Sequence, residues 1–107
     1  MKVYNKLVRD KIPQIIESQG KSAKYRVLDD GEYKAMLNMK LHEEFLEFSN
    51  AKNDEQVEEL ADLVEVVYAI LESKGISIED FEKVRLAKWN ERGGFKERLF
   101  LVSVDEH

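Results

Sequence analysis

An all-α helical bundle is the fold class this sequence predicts, and three observations predict it. Residues 32–51 and 54–74 are long helix-forming stretches whose apolar positions recur at helical spacing. The break between them, Asn50-Ala51-Lys52-Asn53-Asp54, suits a turn joining two antiparallel helices. Only two short segments alternate like strands, residues 24–28 and 98–104. A lone strand is not stable, so the one β element on offer is a two-stranded pairing of 24–28 with 98–104.

The elements follow in order. Residues 1–13 form a basic arm with Lys2, Lys6, Arg9 and Lys11. Pro13 fits the first turn of a short helix reaching about residue 19, and Gly20 suits its stop. Asp29-Asp30-Gly31 is a turn that leads into the first long helix. At 100° per residue, Tyr33, Met36, Leu37, Leu41 and Phe48 form one apolar stripe on it. The second long helix carries Val57, Leu60, Leu63, Val64, Val67 and Ile70 and is apolar on most sides, so it is expected to be buried all round. Gly75 ends it. Ser77 caps a last helix running to about residue 92, with Asp80 placed like the acidic member of a capping box. Gly93-Gly94 breaks that helix. With no repeat, low-complexity segment or linker, residues 1–107 read as a single domain.

Composition narrows the function classes. The chain is 43% hydrophobic and 36% charged, a soluble, helix-prone mixture long enough for one core. It contains no cysteine, which excludes disulfides, thiolate metal sites and cysteine nucleophiles, and a cytoplasmic setting is expected. Neither an apolar signal segment nor a membrane-length apolar run is present. A net charge of −5 argues against a general nucleic-acid-binding surface.

The chemistry concentrates in Glu43, Glu44 and Glu47, followed after eleven residues by Glu59 and Asp62. Glu44 and Glu47 share a helix face, as do Glu59 and Asp62. Surface solvation is the ordinary role of such residues, but here the first pair falls inside the apolar stripe, and the second flanks Val66 and lies close to Ala69. Carboxylates aimed at a packed interface must be paired or coordinate a metal. A hard divalent cation answers that need, Mg²⁺ first and Mn²⁺ second, with Glu44, Glu47, Glu59 and Asp62 as ligands. Glu43 is turned about 100° from Glu44 and is a candidate to activate water. Lys40 stands four residues before Glu44, placed equally for an ion pair or for phosphate.

The pattern E-E-x-x-E followed by E-x-x-D resembles the signature of the all-α nucleotide pyrophosphohydrolases, which include MazG-like enzymes, dimeric dUTPases and phosphoribosyl-ATP pyrophosphohydrolase. Tyr4-Asn5-Lys6-Leu7-Val8-Arg9-Asp10-Lys11-Ile12-Pro13 and Glu91-Arg92-Gly93-Gly94-Phe95 are similar to stretches of a small MazG-like subgroup. The resemblance implies a MazG-like bundle and Mg²⁺-dependent cleavage of a nucleoside triphosphate to monophosphate and pyrophosphate. It also implies that the catalytic set is Glu43, Glu44, Glu47, Glu59 and Asp62. Phosphate contacts would then come from Lys6, Arg9 and Lys11 of the arm and from Lys88 and Arg92. Trp89 and Phe95 could stack on a base, but core packing is the stronger expectation. His42 and His107 receive no role, and no Walker-type glycine loop exists.

The alternatives are hydrolysis of phosphoribosyl-ATP or another phosphoanhydride, or a non-catalytic helical interaction or regulatory module. The five carboxylates favour an enzyme over the module. The largely apolar second helix predicts a homodimer or higher homo-oligomer, because one chain offers too few helices to cover it.

Overall fold

The structure, a computed structural model, describes residues 1–105; His107 lies outside them. Four helices follow in order, α1 (Ile12–Ser18), α2 (Asp30–Asn50), α3 (Gln56–Ser73) and α4 (Ile78–Arg92). The chain divides into two compact units, Met1–Gly75 and Ile76–His107. No strand forms among the described residues, so the expected pairing of 24–28 with 98–104 is corrected. Two local reasons are visible. Arg98 has φ 59°, a left-handed value that interrupts an extended run at its start. Arg26 forks onto the Glu32 carboxylate with bonds of 3.0 and 2.7 Å, fixing 24–28 against the start of α2.

Helix α2 begins at Asp30, slightly earlier than its apolar stripe suggests, because Asp29 caps it. The Asp29 side chain accepts from Glu32 N at 2.8 Å, and Glu32 accepts in return from Asp29 N at 3.5 Å. This reciprocal box satisfies two backbone donors that a helix start leaves open. Helix α3 begins later than expected, at Gln56. Its N-cap residue, Glu55, makes no side-chain cap bond and instead donates its N–H to Lys52 O at 2.9 Å, closing the connecting turn.

Helices α2 and α3 pack on each other as an antiparallel hairpin. Their pairing shows at both ends. Glu44 near the end of α2 meets Glu59 and Asp62 near the start of α3. Tyr33 at the start of α2 lies close enough to Glu72 at the end of α3 for that carboxylate, after burial itself, to raise the phenol pKa. Among the described residues the buried apolar ones are Leu37, Val66 and Leu71, a thin core flanked by half-buried Tyr33, Met36, Leu41 and Phe48. The expectation that α3 is buried all round is corrected for the single chain. Val57, Leu60 and Val64, spaced three and four apart, form an exposed stripe.

In the second unit, Ser77 Oγ accepts from Asp80 N at 3.1 Å, as expected for the cap of α4. Only this half of the box forms; an aspartate is one methylene shorter than the glutamate the full box uses. Gly93 ends α4 with φ 80°, a conformation that costs glycine little. Trp89 and Phe95 are 56% and 97% exposed, so neither packs in a core of this chain. No helix among the described residues is long and apolar enough to cross a membrane.

Candidate active site

The hairpin brings three of the expected carboxylates together. Glu44, Glu59 and Asp62 each offer one oxygen, and the three lie within 4.8 Å of one another, a cluster able to hold a metal ion. Helical phase explains the convergence: Glu59 and Asp62 stand one turn apart on the α3 face that Glu44 meets from α2. Glu44 is the one buried charged residue among those described, at 8% exposure. Glu59 and Asp62 are half-buried. Partial burial, then the negative charges of Glu47, Asp62, Glu44 and Glu55, push the Glu59 carboxyl above its usual range.

Glu47 is exposed and outside the group of three, although it is near enough to act on Glu59 electrostatically. Glu43 also stands apart, held by lysines. Lys6 Nζ donates to Glu43 Oε1 at 3.2 Å, and Lys40 Nζ donates to Glu43 Oε2 at 3.4 Å. Desolvation opposes ionisation of Glu43, but those two lysines outweigh it and lower its pKa. Lys40 also reaches Glu44 Oε1 at 3.4 Å, so it makes the ion pair and sits beside the cluster at once.

The basic arm lies over the acidic hairpin. Arg9 contacts Asp62 at 3.5 Å and Glu65 at 3.8 Å. Lys6 is held between Glu43 and the Tyr4 ring, whose centroid is 5.9 Å from its nitrogen. Lys11 is exposed and makes no ion pair among the described residues; it precedes α1. Lys88 and Arg92 belong to α4 in the second unit, both exposed and free of ion pairs among the described residues. Glu65, a second anion under Arg9, was legible as the next member of a three-residue series after Glu59 and Asp62.

A carboxylate group of this kind, overlaid by bases, is suited to polyphosphate chemistry through a cation. The model of the family described as phosphoribosyl-ATP pyrophosphohydrolase matches residues 8–87. The chain belongs to that family. Its members are pyrophosphohydrolases acting on phosphoanhydrides, within the all-α MazG-like superfamily. The family match takes in α1, α2, α3 and most of α4. The chain is also similar to an uncharacterised protein of Mycolicibacterium smegmatis, 47% identical over 45 residues, which is 42% of this chain and 46% of that protein. The matched stretch thus spans less than half of the relative's length. No solved structure matches significantly.

Proposed function

We propose that the protein hydrolyses a nucleoside triphosphate to the monophosphate and pyrophosphate, with Mg²⁺ as the first candidate ion and Mn²⁺ as the second. The observation that carries this is the convergence of Glu44, Glu59 and Asp62, one of them buried, on one point of the α2–α3 hairpin. The donor set is all oxygen, as hard divalent cations prefer. Three carboxylate oxygens within 4.8 Å of one another would fit such an ion.

In this reading Glu44, Glu59 and Asp62 would hold the ion, with Glu47 as a further ligand. When bound, the cation offsets phosphate charge and acidifies water. The chain's own residues do the rest. Lys40 and Lys6 leave Glu43 for the phosphates, and Glu43, already ionised, accepts a proton from the attacking water. Arg9 exchanges Asp62 and Glu65 for a phosphate oxygen pair, which its planar fork suits. Lys11, Lys88 and Arg92 supply further positive charge to an otherwise acidic protein. The family match runs across both compact units and supports 1–107 acting as one domain. The exposed Val57–Leu60–Val64 stripe supports a homodimer or higher homo-oligomer. A nucleotide substrate and a cysteine-free chain fit a cytoplasmic setting.

The family's description favours one second reading, phosphoribosyl-ATP as the substrate. The test is pyrophosphate release with Mg²⁺ from a panel of normal and damaged nucleoside triphosphates and phosphoribosyl-ATP. Turnover of triphosphates supports the proposal. Turnover of phosphoribosyl-ATP alone moves the assignment to the second reading. Absence of turnover on every substrate overturns both and leaves a helical interaction module.

A further inference from the structure

A pocket of about 220 Å³ lies between the basic arm and α2, beside the carboxylates. Its floor is Met36, Met39 and Leu46, which with Glu43 recur at spacings of three and four on one face of α2. Its opposite wall is the arm, through Asn5 and Leu7. Two features tie it to the acidic cluster. Lys40 lines the pocket and also touches Glu44, a member of the cluster, at 3.4 Å. Glu43 lines it too and holds Lys6 at the rim. The lining is mostly apolar with a few polar groups, the usual make-up of a small-molecule site. Its volume is below the roughly 300–1,000 Å³ of pockets that take a whole drug-sized ligand, so it suits one flat moiety of a larger substrate.

We propose that this pocket takes the purine or pyrimidine base of the substrate, while Lys6 and Lys40 at its rim direct the phosphates toward Glu44, Glu59 and Asp62. The proposal rests on the nucleotide reading above and adds where the base goes and what reads it. Thioether side chains adapt to a flat ring. Asn5 offers both a donor and an acceptor to a base edge. Its backbone is left-handed, with φ 46°, which turns the arm at this point. Asparagine tolerates that conformation better than most residues. Because the arm supplies a wall, base and phosphates are gripped by the same segment, which carries Asn5 on one side and Arg9 on the other.

The test uses two variants of the full chain. Met39→Trp fills the pocket from an exposed position, where Met39 is 62% accessible. Asn5→Gly deletes the amide yet keeps the left-handed backbone available. For Met39→Trp, KM for a nucleoside triphosphate should rise at least about tenfold relative to the inhibition constant of inorganic tripolyphosphate. For Asn5→Gly, the purine-to-pyrimidine ratio of kcat/KM should move by about tenfold with circular dichroism unchanged. Calorimetry of nucleoside 5′-monophosphates with wild type and Met39→Trp runs alongside. If wild type turns over nucleotides and neither variant alters these ratios, the pocket assignment is overturned and the catalytic reading survives. The same holds if Met39→Trp changes the molecular mass by light scattering and leaves both ratios alone, which makes the pocket an interface between copies. If wild type turns over nothing but binds a monophosphate in a manner Met39→Trp weakens, the pocket stands and the catalytic reading falls. Neither turnover nor binding overturns both.

Discussion

Glu44, a carboxylate that water would solvate freely, is 8% exposed and pairs with Lys40 at 3.4 Å. Exposed, a lysine-before-glutamate pair is worth at most about 0.5 kcal/mol. The two side chains here are only 16% and 10% accessible, so losing one partner leaves a largely buried charge and costs far more. The amide variants Glu44→Gln, Glu59→Gln and Asp62→Asn keep side-chain shape and hydrogen-bonding capacity, and in Glu44→Gln Lys40 still has Glu43 at 3.4 Å, so these are the cleaner probes. Each should lower Mg²⁺-dependent pyrophosphate release by at least about 100-fold, the upper end for groups one step removed from a metal. In chelator, Glu59→Gln should melt at a higher temperature than wild type, because partial burial, and then its acidic neighbours, disfavour its charged form. Full turnover in these variants would exclude them as ligands. Arg9 probes the opposite charge. Its contacts to Asp62 and Glu65 are long and half-exposed, so they contribute little to stability. Arg9→Ala should keep Mg²⁺ affinity and weaken triphosphate binding by about one to two decades, from the roughly 1.5–3 kcal/mol of a charge-assisted bond. Calorimetry at fixed Mg²⁺ should show a smaller loss for the monophosphate; equal losses would remove Arg9 from polyphosphate recognition.

At the scale of the element, α2 matters most, because it carries the floor of the pocket and one carboxylate of the cluster. Its start is held by the Asp29–Glu32 box and by Arg26. Asp29→Ala should cost about 0.5–2 kcal/mol in chemical denaturation, the range for a lost cap. Ser77→Ala should cost less within the same range, since only half of its box is formed. The Glu32 carboxyl is held down at about 2, against an ordinary 4.5, first by the Arg26 hydrogen bonds and then by the Asp29 backbone bond. The folded value lies below the unfolded one, so this contribution is fully present above the unfolded value. It is lost as pH falls through the window from about 4.5 to about 2. In Arg26→Gln, an NMR titration should find the Glu32 pKa moved upward, with acid unfolding beginning at higher pH. An unmoved titration would mean that the fork from Arg26 is not populated in solution.

At the scale of the whole molecule, the exposed apolar stripe of α3 calls for a partner surface. Val57, Leu60 and Val64 are 75%, 43% and 40% accessible on a helix whose other face is already packed on α2. Such a stripe belongs in contact with another helix, and a second copy is the surface always at hand. Wild type should scatter light as a dimer or larger at micromolar concentration, and Val64→Arg should reduce it toward the monomer. A wild-type monomer under active conditions would exclude the oligomer.

The sequence alone determined the helices, the turn between α2 and α3, and the placing of acids on one face and bases on the N-terminal arm. These are local matters, set by a 3.6-residue period, by caps such as Asp29 and Ser77, and by glycines such as Gly75 and Gly93. Even the inward phase of Glu44 was legible, because its apolar neighbours recur at the same spacing. Which carboxylates converge was decided only by tertiary structure. Glu44, Glu59 and Asp62 meet, whereas Glu47, one turn beyond Glu44, is exposed, because a helix crossing brings together one level of each face and not its whole length. The pairing of Lys6 with Glu43, 37 positions apart, is likewise a product of the arm's path. So is the pocket that Asn5 and Leu7 close over Met36, Met39 and Leu46, since no periodicity within α2 says which segment will lie on it. Alternation at 24–28 and 98–104 could not specify a strand pair, because pairing needs an extended partner and Arg98 turns out of the extended region.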